Sequence, residues 1–311
     1  ASGAARATAR ESRGKRTAVG LAQGVGGRGC GWGGGRHCAV VIGCGRGAGW
    51  RKKGTAVLEF DAAVTRMLDD AYRGADLTRR RQASFDALKP APGETILDIG
   101  CGNGLLAAEL ARAVGPAGRV IGVDPSEDMR ALGEARCREY SCVTFREGVA
   151  TALPLADEVA DKAVSVQVLE YVDDVAGAVA DAMRCLKPGG RLVVSDLHFG
   201  SLIWFSDEPE RMTRLCAAWD RHFVAGDLPA RLPGLVTRLG HEVEDVVPVT
   251  LTDHVLKPDG YAMLLMHLMR QYAVGNGHVE DAEADAWFDE QVSLAREGRC
   301  FFSITQFVVS A

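Results

Sequence analysis

Nine residues a third of the way along the chain limit its fold more than any other stretch. Ile96-Leu97-Asp98-Ile99-Gly100-Cys101-Gly102-Asn103-Gly104 reads as a buried strand running into a glycine turn. Val120-Ile121-Gly122-Val123-Asp124 reads as a second strand ending in a carboxylate. Glycine has no Cβ and tolerates positive φ, so a small molecule can reach the main chain at such a turn. An acid 20 residues past Gly104, at a strand's carboxyl end, is placed to accept hydrogen bonds from a ribose diol. Together the two segments predict a nucleoside-containing ligand at the carboxyl edge of a parallel sheet.

The spacing separates two ligand classes. The dinucleotide fingerprint G-x-G-x-x-G uses its third glycine for close helix–strand packing. Here that glycine comes one residue early, at Gly104, and Leu105 holds the expected place. Asp98 adds a carboxylate before the turn, which would repel a pyrophosphate and suits a ligand carrying an ammonium group. This pattern, with Asp98 and Asp124, resembles the class I S-adenosylmethionine-dependent methyltransferases. A nicotinamide-type Rossmann domain is the competing reading.

Three further segments extend the resemblance. They are Gly148-Val149-Ala150-Thr151-Ala152-Leu153-Pro154, Asp161 to Val172 with Gln167-Val168-Leu169-Glu170-Tyr171, and Leu186-Lys187-Pro188-Gly189-Gly190-Arg191. In this order they resemble the ubiquinone/menaquinone-type, "type 11" small-molecule branch, over about residues 56–200. The resemblance implies S-adenosylmethionine as cofactor and S-adenosylhomocysteine as product. It implies that Asp98, Gly100, Cys101 and Gly102 face the methionine half and that Asp124 holds the ribose, flanked by Pro125 and Met129. Gln167 is expected to face the methionine moiety. Tyr72 and Arg81 lie on N-terminal helices that close over the cofactor in related enzymes, Arg81 meeting the methionine carboxylate or else lying solvated. One departure stands out. The family's acid after the third strand, which receives the adenine amino group, is Val149 here. Adenine recognition then rests on backbone and apolar contacts from Ala150, Leu153 and Ser126.

Charge is distributed unevenly. Residues 1–55 hold 11 Lys/Arg against one acid, Glu11, a net of +10, so residues 56–311 carry −15 of a chain whose total is −5. An acidic body is a poor partner for nucleic acid or an anionic membrane. Residues 1–55 also contain 16 of the 37 glycines. Such composition cannot bury enough apolar surface to offset ordering entropy, and predicts disorder. It fits a transit peptide or a sequence artefact. Nine cysteines with no CxxC pair suggest neither a disulfide framework nor a zinc site, and point to a reducing intracellular compartment, cytoplasmic or organellar. No run of 18 apolar residues predicts a membrane span.

Periodicity predicts helices over 57–72 and 76–89, then strands near 95–99, 119–123, 143–146, 162–167 and 191–196. Helices near 104–114, 126–139 and 173–186 alternate with them. The expected fold is α/β: a Rossmann-like, seven-stranded, mostly parallel sheet with an antiparallel last strand and helices on both faces. Helices are predicted over 208–223, 228–239, 258–273 and 280–297, and strands over 242–251 and 300–310. In the family the final strand lies between strands five and six. The methyltransferase domain would span 56–311, with residues 200–298 carrying a helical substrate lid.

Methyl transfer from a sulfonium is an in-line displacement, in which the protein aligns the partners and excludes water. A base helps when the nucleophile carries a proton. His198, His222 and Tyr171 are the candidate catalytic residues, with His267 a further histidine to test. Leu169, Trp204, Phe205 and Trp219 are candidate walls for a small, apolar or aromatic acceptor; ring methylation of a prenylated quinone or phenol is one such reaction. The alternative is a catalytically silent binding or assembly protein of the same fold.

Overall fold

The structure is a computed structural model that describes residues 72–311 and the backbone of Val40–Val41. The rest of the segment 1–55, and the helix expected over 57–72 apart from Tyr72, lie outside the described residues. In chain order the elements are β1 (Val40–Val41), α1 (Ala75–Leu88), β2 (Thr95–Ile99), α2 (Leu105–Val114), β3 (Arg119–Asp124), α3 (Glu127–Cys137), β4 (Val143–Glu147) and β5 (Ala160–Val166). A single 3-10 turn, Leu169–Tyr171, follows. The remainder are α4 (Val175–Cys185), β6 (Leu186–Trp204), α5 (Pro209–Asp220), α6 (Leu228–Arg238), β7 (Asp245–Asp253), α7 (Tyr261–Gly275), α8 (Asp281–Arg296) and β8 (Phe302–Ser310).

The strands form one sheet in the order β4-β3-β2-β5-β6-β8-β7, with β1 beside the far end of β6. Strands β2 to β6 are parallel, and β8 runs antiparallel to both its neighbours. This is the expected seven-stranded order, with the final strand between the fifth and sixth. Side chains alternate across the sheet with period two. Ile96, Val120, Val164, Val193 and Val308 pack with α1, α2 and α3 on one face. Leu97, Ile121, Ala163, Leu192 and Val309 pack with α4 and α6 on the other.

A third cluster joins α5, α7 and α8 to the outer ends of β6 and β8. Met266 and Met269 sit at its centre, so the methionine stripe is core. Two polar ties anchor α7 to α1. Asp76 accepts hydrogen bonds from the Tyr261 amide at 3.1 Å and from Lys257 Nζ at 3.3 Å. The expected lid span of 200–298 is therefore too broad. Strand β7 belongs to the sheet, and α6 buries Leu228, Leu232 and Val236 against a sheet face.

Strand β6 also differs from expectation. It begins at Leu186, directly after α4, and continues to Trp204 because β8 supplies a partner along most of its length. His198 consequently lies within a strand, opposite Thr305, and not on a loop at the crevice edge.

Candidate functional site

Asp98 ends at the carboxyl edge of β2, and the chain then turns sharply through Gly100 and Gly102, with φ of +67° and +51°. Gly100 is forced by packing. A Cβ there would meet Val168 Cγ2 at 2.3 Å. At Gly102 a Cβ would meet no atom of the described residues within 4 Å beyond its chain neighbours, so this stretch of main chain faces open space that a ligand can use. The turn is pinned by the next strand. Gly100 and Cys101 donate N–H bonds to the Val123 carbonyl at 2.7 and 3.1 Å. Asp124 Oδ2 accepts from the Gly102 amide and Oδ1 from the Ser126 amide, both at 2.9 Å.

Asp124 thus builds the turn as well as bordering the open space. Each of its oxygens keeps a lone pair for a further donor. Asp124→Ala should weaken nucleoside binding by about 1–3 kcal/mol and also lower the melting temperature, since the Gly102 and Ser126 amides lose their acceptor. Titration calorimetry and thermal unfolding on one preparation check both effects.

Asp98 is 2% exposed, and its Oδ2 has no hydrogen-bond partner among the described residues. Burial, and then the nearby charges of Asp124 and Glu109, push its pKa up to about 7. A buried carboxyl left unpaired is costly unless a partner arrives. A ligand ammonium beside the glycine turn would be such a partner.

Gln167 caps the carboxyl end of β5 with φ of +58°, a conformation side-chain-bearing residues rarely hold. It is the point where the glycine turn meets a second feature, because the neighbouring Val168 packs on Gly100. That feature is a cavity of about 80 Å³ lined by Tyr72, Gln167, Tyr171, Trp219, His222 and Tyr261, with Leu77, Phe199, Phe223, Leu264 and Leu268 completing the wall. Tyr171 and His222 contact edge to face at 5.2 Å, and Trp219 tilts against His222 at 4.6 Å. Burial lowers the His222 pKa to about 4, so its imidazole is uncharged near neutrality.

Of the residues singled out from the sequence, Tyr72, Gln167, Tyr171, His222 and Trp219 meet at this cavity. Others do not reach it. His198 packs on Phe307 at 6.2 Å. His267 lies against Phe288 at 5.0 Å. Leu169 and Trp204 are core residues, and Phe205 sits beneath the Arg299 guanidinium at 5.5 Å. Arg81 is neither solvated nor free. Its Nε bonds Glu109 at 2.9 Å, and Nη1 bonds the Tyr72 carbonyl at 2.9 Å.

Around the adenine end, Val149 is 47% exposed beside Ala150, whereas Leu153 is buried in the core and unavailable to a ligand. Ser126 Oγ accepts the Met129 amide at 3.3 Å as the cap of α3, and Pro125 is exposed.

Arg80, next to Arg81, escaped notice in the sequence. It is 2% exposed, its Nε bonds Gln306 Oε1 at 2.6 Å, and its guanidinium stacks 5.2 Å from the Tyr261 ring centre. Glu170 and Asp196, both buried, share its surroundings. Helical spacing could have flagged Arg80, since it falls on the buried face with Leu77, Ser84 and Leu88.

Comparison with known proteins agrees with this geometry. A methyltransferase-domain profile matches residues 97–194. An uncharacterized 37.1 kDa protein in transposon Tn4556 of Streptomyces fradiae is 34% identical over 238 residues, 74% of this chain and 66% of that protein. A Mycolicibacterium smegmatis protein, named a probable S-adenosylmethionine-dependent methyltransferase, is 34% identical over 218 residues, 69% of this chain and 75% of that one. The YcgJ protein of Bacillus subtilis shares the fold, with a TM-score of 0.52 at 19% identity over 75% of this chain and 97% of its own. The chain spans between about half and two thirds of the length of the first curated relatives it matches. With a glycine turn, two flanking aspartates and the β4-β3-β2-β5-β6-β8-β7 sheet in place, the chain belongs to the S-adenosylmethionine-dependent methyltransferases.

Proposed function

We propose that this chain transfers a methyl group from S-adenosylmethionine to a small acceptor with an apolar, aromatic body. One juxtaposition carries the reading. A buried carboxyl with one oxygen unpartnered among the described residues and an open stretch of glycine main chain lie on the same sheet edge as a cavity walled by aromatic rings.

The residues present fit the nucleoside. Asp98 would take the ammonium group, the Gly100–Gly102 main chain the methionine half, and the free lone pairs of Asp124 the ribose hydroxyls. Val149 and Ala150 would flank the adenine. Bound there, S-adenosylmethionine supplies an activated methyl group on a cationic sulfur.

The protein's own contribution is alignment and dryness. Trp219, Phe223, Leu264 and Leu268 exclude water from the cavity. Buried Tyr261 and the more exposed Tyr171 offer ring faces that attract a cation. Among the described residues no helix is long and apolar enough to cross a membrane. A prenylated quinone or phenol is one acceptor that would suit the cavity's aromatic and apolar lining.

The test is mass spectrometry of the nucleoside that co-purifies with the chain, followed by a screen of cell extract for metabolites gaining one methyl group. Trp219→Ala should raise KM for the acceptor at least tenfold while leaving S-adenosylhomocysteine affinity within twofold. Equal losses of both would place the acceptor elsewhere.

A further inference from the structure

Beneath the cavity floor lies a set of charges that binding alone does not require. Glu170 belongs to the 3-10 turn Leu169–Tyr171 and is 0% exposed. Its Oε1 accepts from Gln167 Nε2 at 3.4 Å, and its Oε2 has no hydrogen-bond partner among the described residues. Tyr171 is the next residue of the same turn, and its hydroxyl lies near this carboxyl. Both Gln167 and Tyr171 line the cavity.

Several elements around Glu170 contribute groups, and the Val224 and Ala225 amides donate to its main-chain carbonyl at 3.0 and 2.9 Å. Arg80 comes from α1 and Tyr72 from just before it. Asp196 comes from β6, both its carboxyl oxygens without a hydrogen-bond partner among the described residues, and Tyr261 comes from α7. The charge count does not balance. Two buried carboxyl groups lie near one guanidinium, whose Nη1 and Nη2 have no hydrogen-bond partner among the described residues, so ionising both would leave an uncompensated negative charge in a buried interior. The pair holds one proton until another cation arrives. Burial and the Asp196 charge accordingly raise the Glu170 pKa to about 8.

We propose that Glu170 is the proton acceptor of the methyl-transfer site, acting through the Tyr171 phenol and ionised by the sulfonium of the bound cofactor. This rests on the methyltransferase reading above and narrows the acceptor to one whose attacking atom bears a proton, such as a phenol or an enol. As that atom bonds the methyl carbon, the carbon–sulfur bond breaks and its electron pair stays on sulfur. The acceptor's proton passes to the Tyr171 oxygen while the Tyr171 proton passes to the Glu170 carboxylate. A sulfonium and a carboxylate are both neutralised, so the step leaves no new charge in the cavity. Tyr171 touches the acceptor; Glu170 is a relay behind it.

The proposal can be tested without an acceptor. S-adenosylmethionine carries the sulfonium and S-adenosylhomocysteine does not, whereas both carry the ammonium group that meets Asp98. Any proton lost from Asp98 is therefore common to the two. Each is titrated calorimetrically into the full chain near pH 7.5, in two buffers of different ionisation enthalpy, to count protons released per site. The expected result is release of about half a proton more with S-adenosylmethionine. The difference should vanish in Glu170→Gln while both nucleosides still bind.

Equal release in the wild type, or a difference that persists in Glu170→Gln, overturns the proposal. If Glu170→Gln does not fold, the wild-type comparison decides alone. Failure of both nucleosides to bind overturns the methyltransferase reading itself, a result distinct from binding with equal release.

Discussion

Gly102→Val should leave a folded protein that no longer binds S-adenosylmethionine or S-adenosylhomocysteine, with affinity lost by at least a hundredfold. Among the described residues nothing but its chain neighbours lies within 4 Å of a Cβ at this position, so the new side chain occupies the open space. The backbone there has φ of +51°, which costs a β-branched residue of order 1–3 kcal/mol. That cost lowers the melting temperature by several degrees without unfolding the sheet. Gly100→Ala provides the contrast. Its Cβ would sit 2.3 Å from Val168 Cγ2, so the smaller substitution damages the fold more. Calorimetric titration and thermal unfolding of both variants check the pair. Normal binding by Gly102→Val would move the ligand away from this turn.

Glu170 and Asp98 should each lower stability as pH rises from about 4.5 to 8, opposed below pH 6.5 by His222, whose depressed pKa works the other way, and Glu170→Gln should remove the Glu170 share of the fall. The folded pKa of Glu170 is raised from 4.5 to about 8, and that of Asp98 from 3.8 to about 7, each chiefly by burial. Between the unfolded and folded values the native state holds protons that the unfolded chain has released. These two groups therefore make unfolding easier with each unit of pH in that window. Below the unfolded values both states are protonated and the penalty disappears; above about pH 8 both are ionised and the slope ends. A carboxyl displaced this far contributes at most about 4–5 kcal/mol to the decline. Glu170→Gln keeps the shape and removes the charge, so above pH 8 it should be more stable than the wild type by a few kcal/mol. Urea unfolding at several pH values measures this. Parallel stability curves for the two proteins would contradict it.

The centre of the sheet was readable because β2, β3 and β5 are short, largely apolar runs. Ile96 and Leu97 show the alternation directly, one on each face. The glycine turn and its two aspartates were readable because spacing along one chain segment sets their geometry. What stayed hidden depends on a single step of rotation or on partners far away in sequence. Arg80 and Arg81 are adjacent, yet one stacks on Tyr261 and the other pairs with Glu109 at the surface of α2. Trp204 seemed a pocket residue because it is large and aromatic. It packs instead on Trp287 and Phe302, which lie about ninety residues downstream. The length of β6 depends on β8, and no local signal in residues 197–204 announces that pairing. Glu170 reads as an ordinary polar residue until Asp196 and Arg80 are placed beside it.

The most direct test of the site is equilibrium titration of S-adenosylhomocysteine and NADH into the full chain, each repeated with Gly102→Val. The structure predicts one-to-one binding of S-adenosylhomocysteine, lost in the variant, and no binding of NADH. Binding of NADH that Gly102→Val abolishes, or no binding of S-adenosylhomocysteine to the wild type, would contradict it.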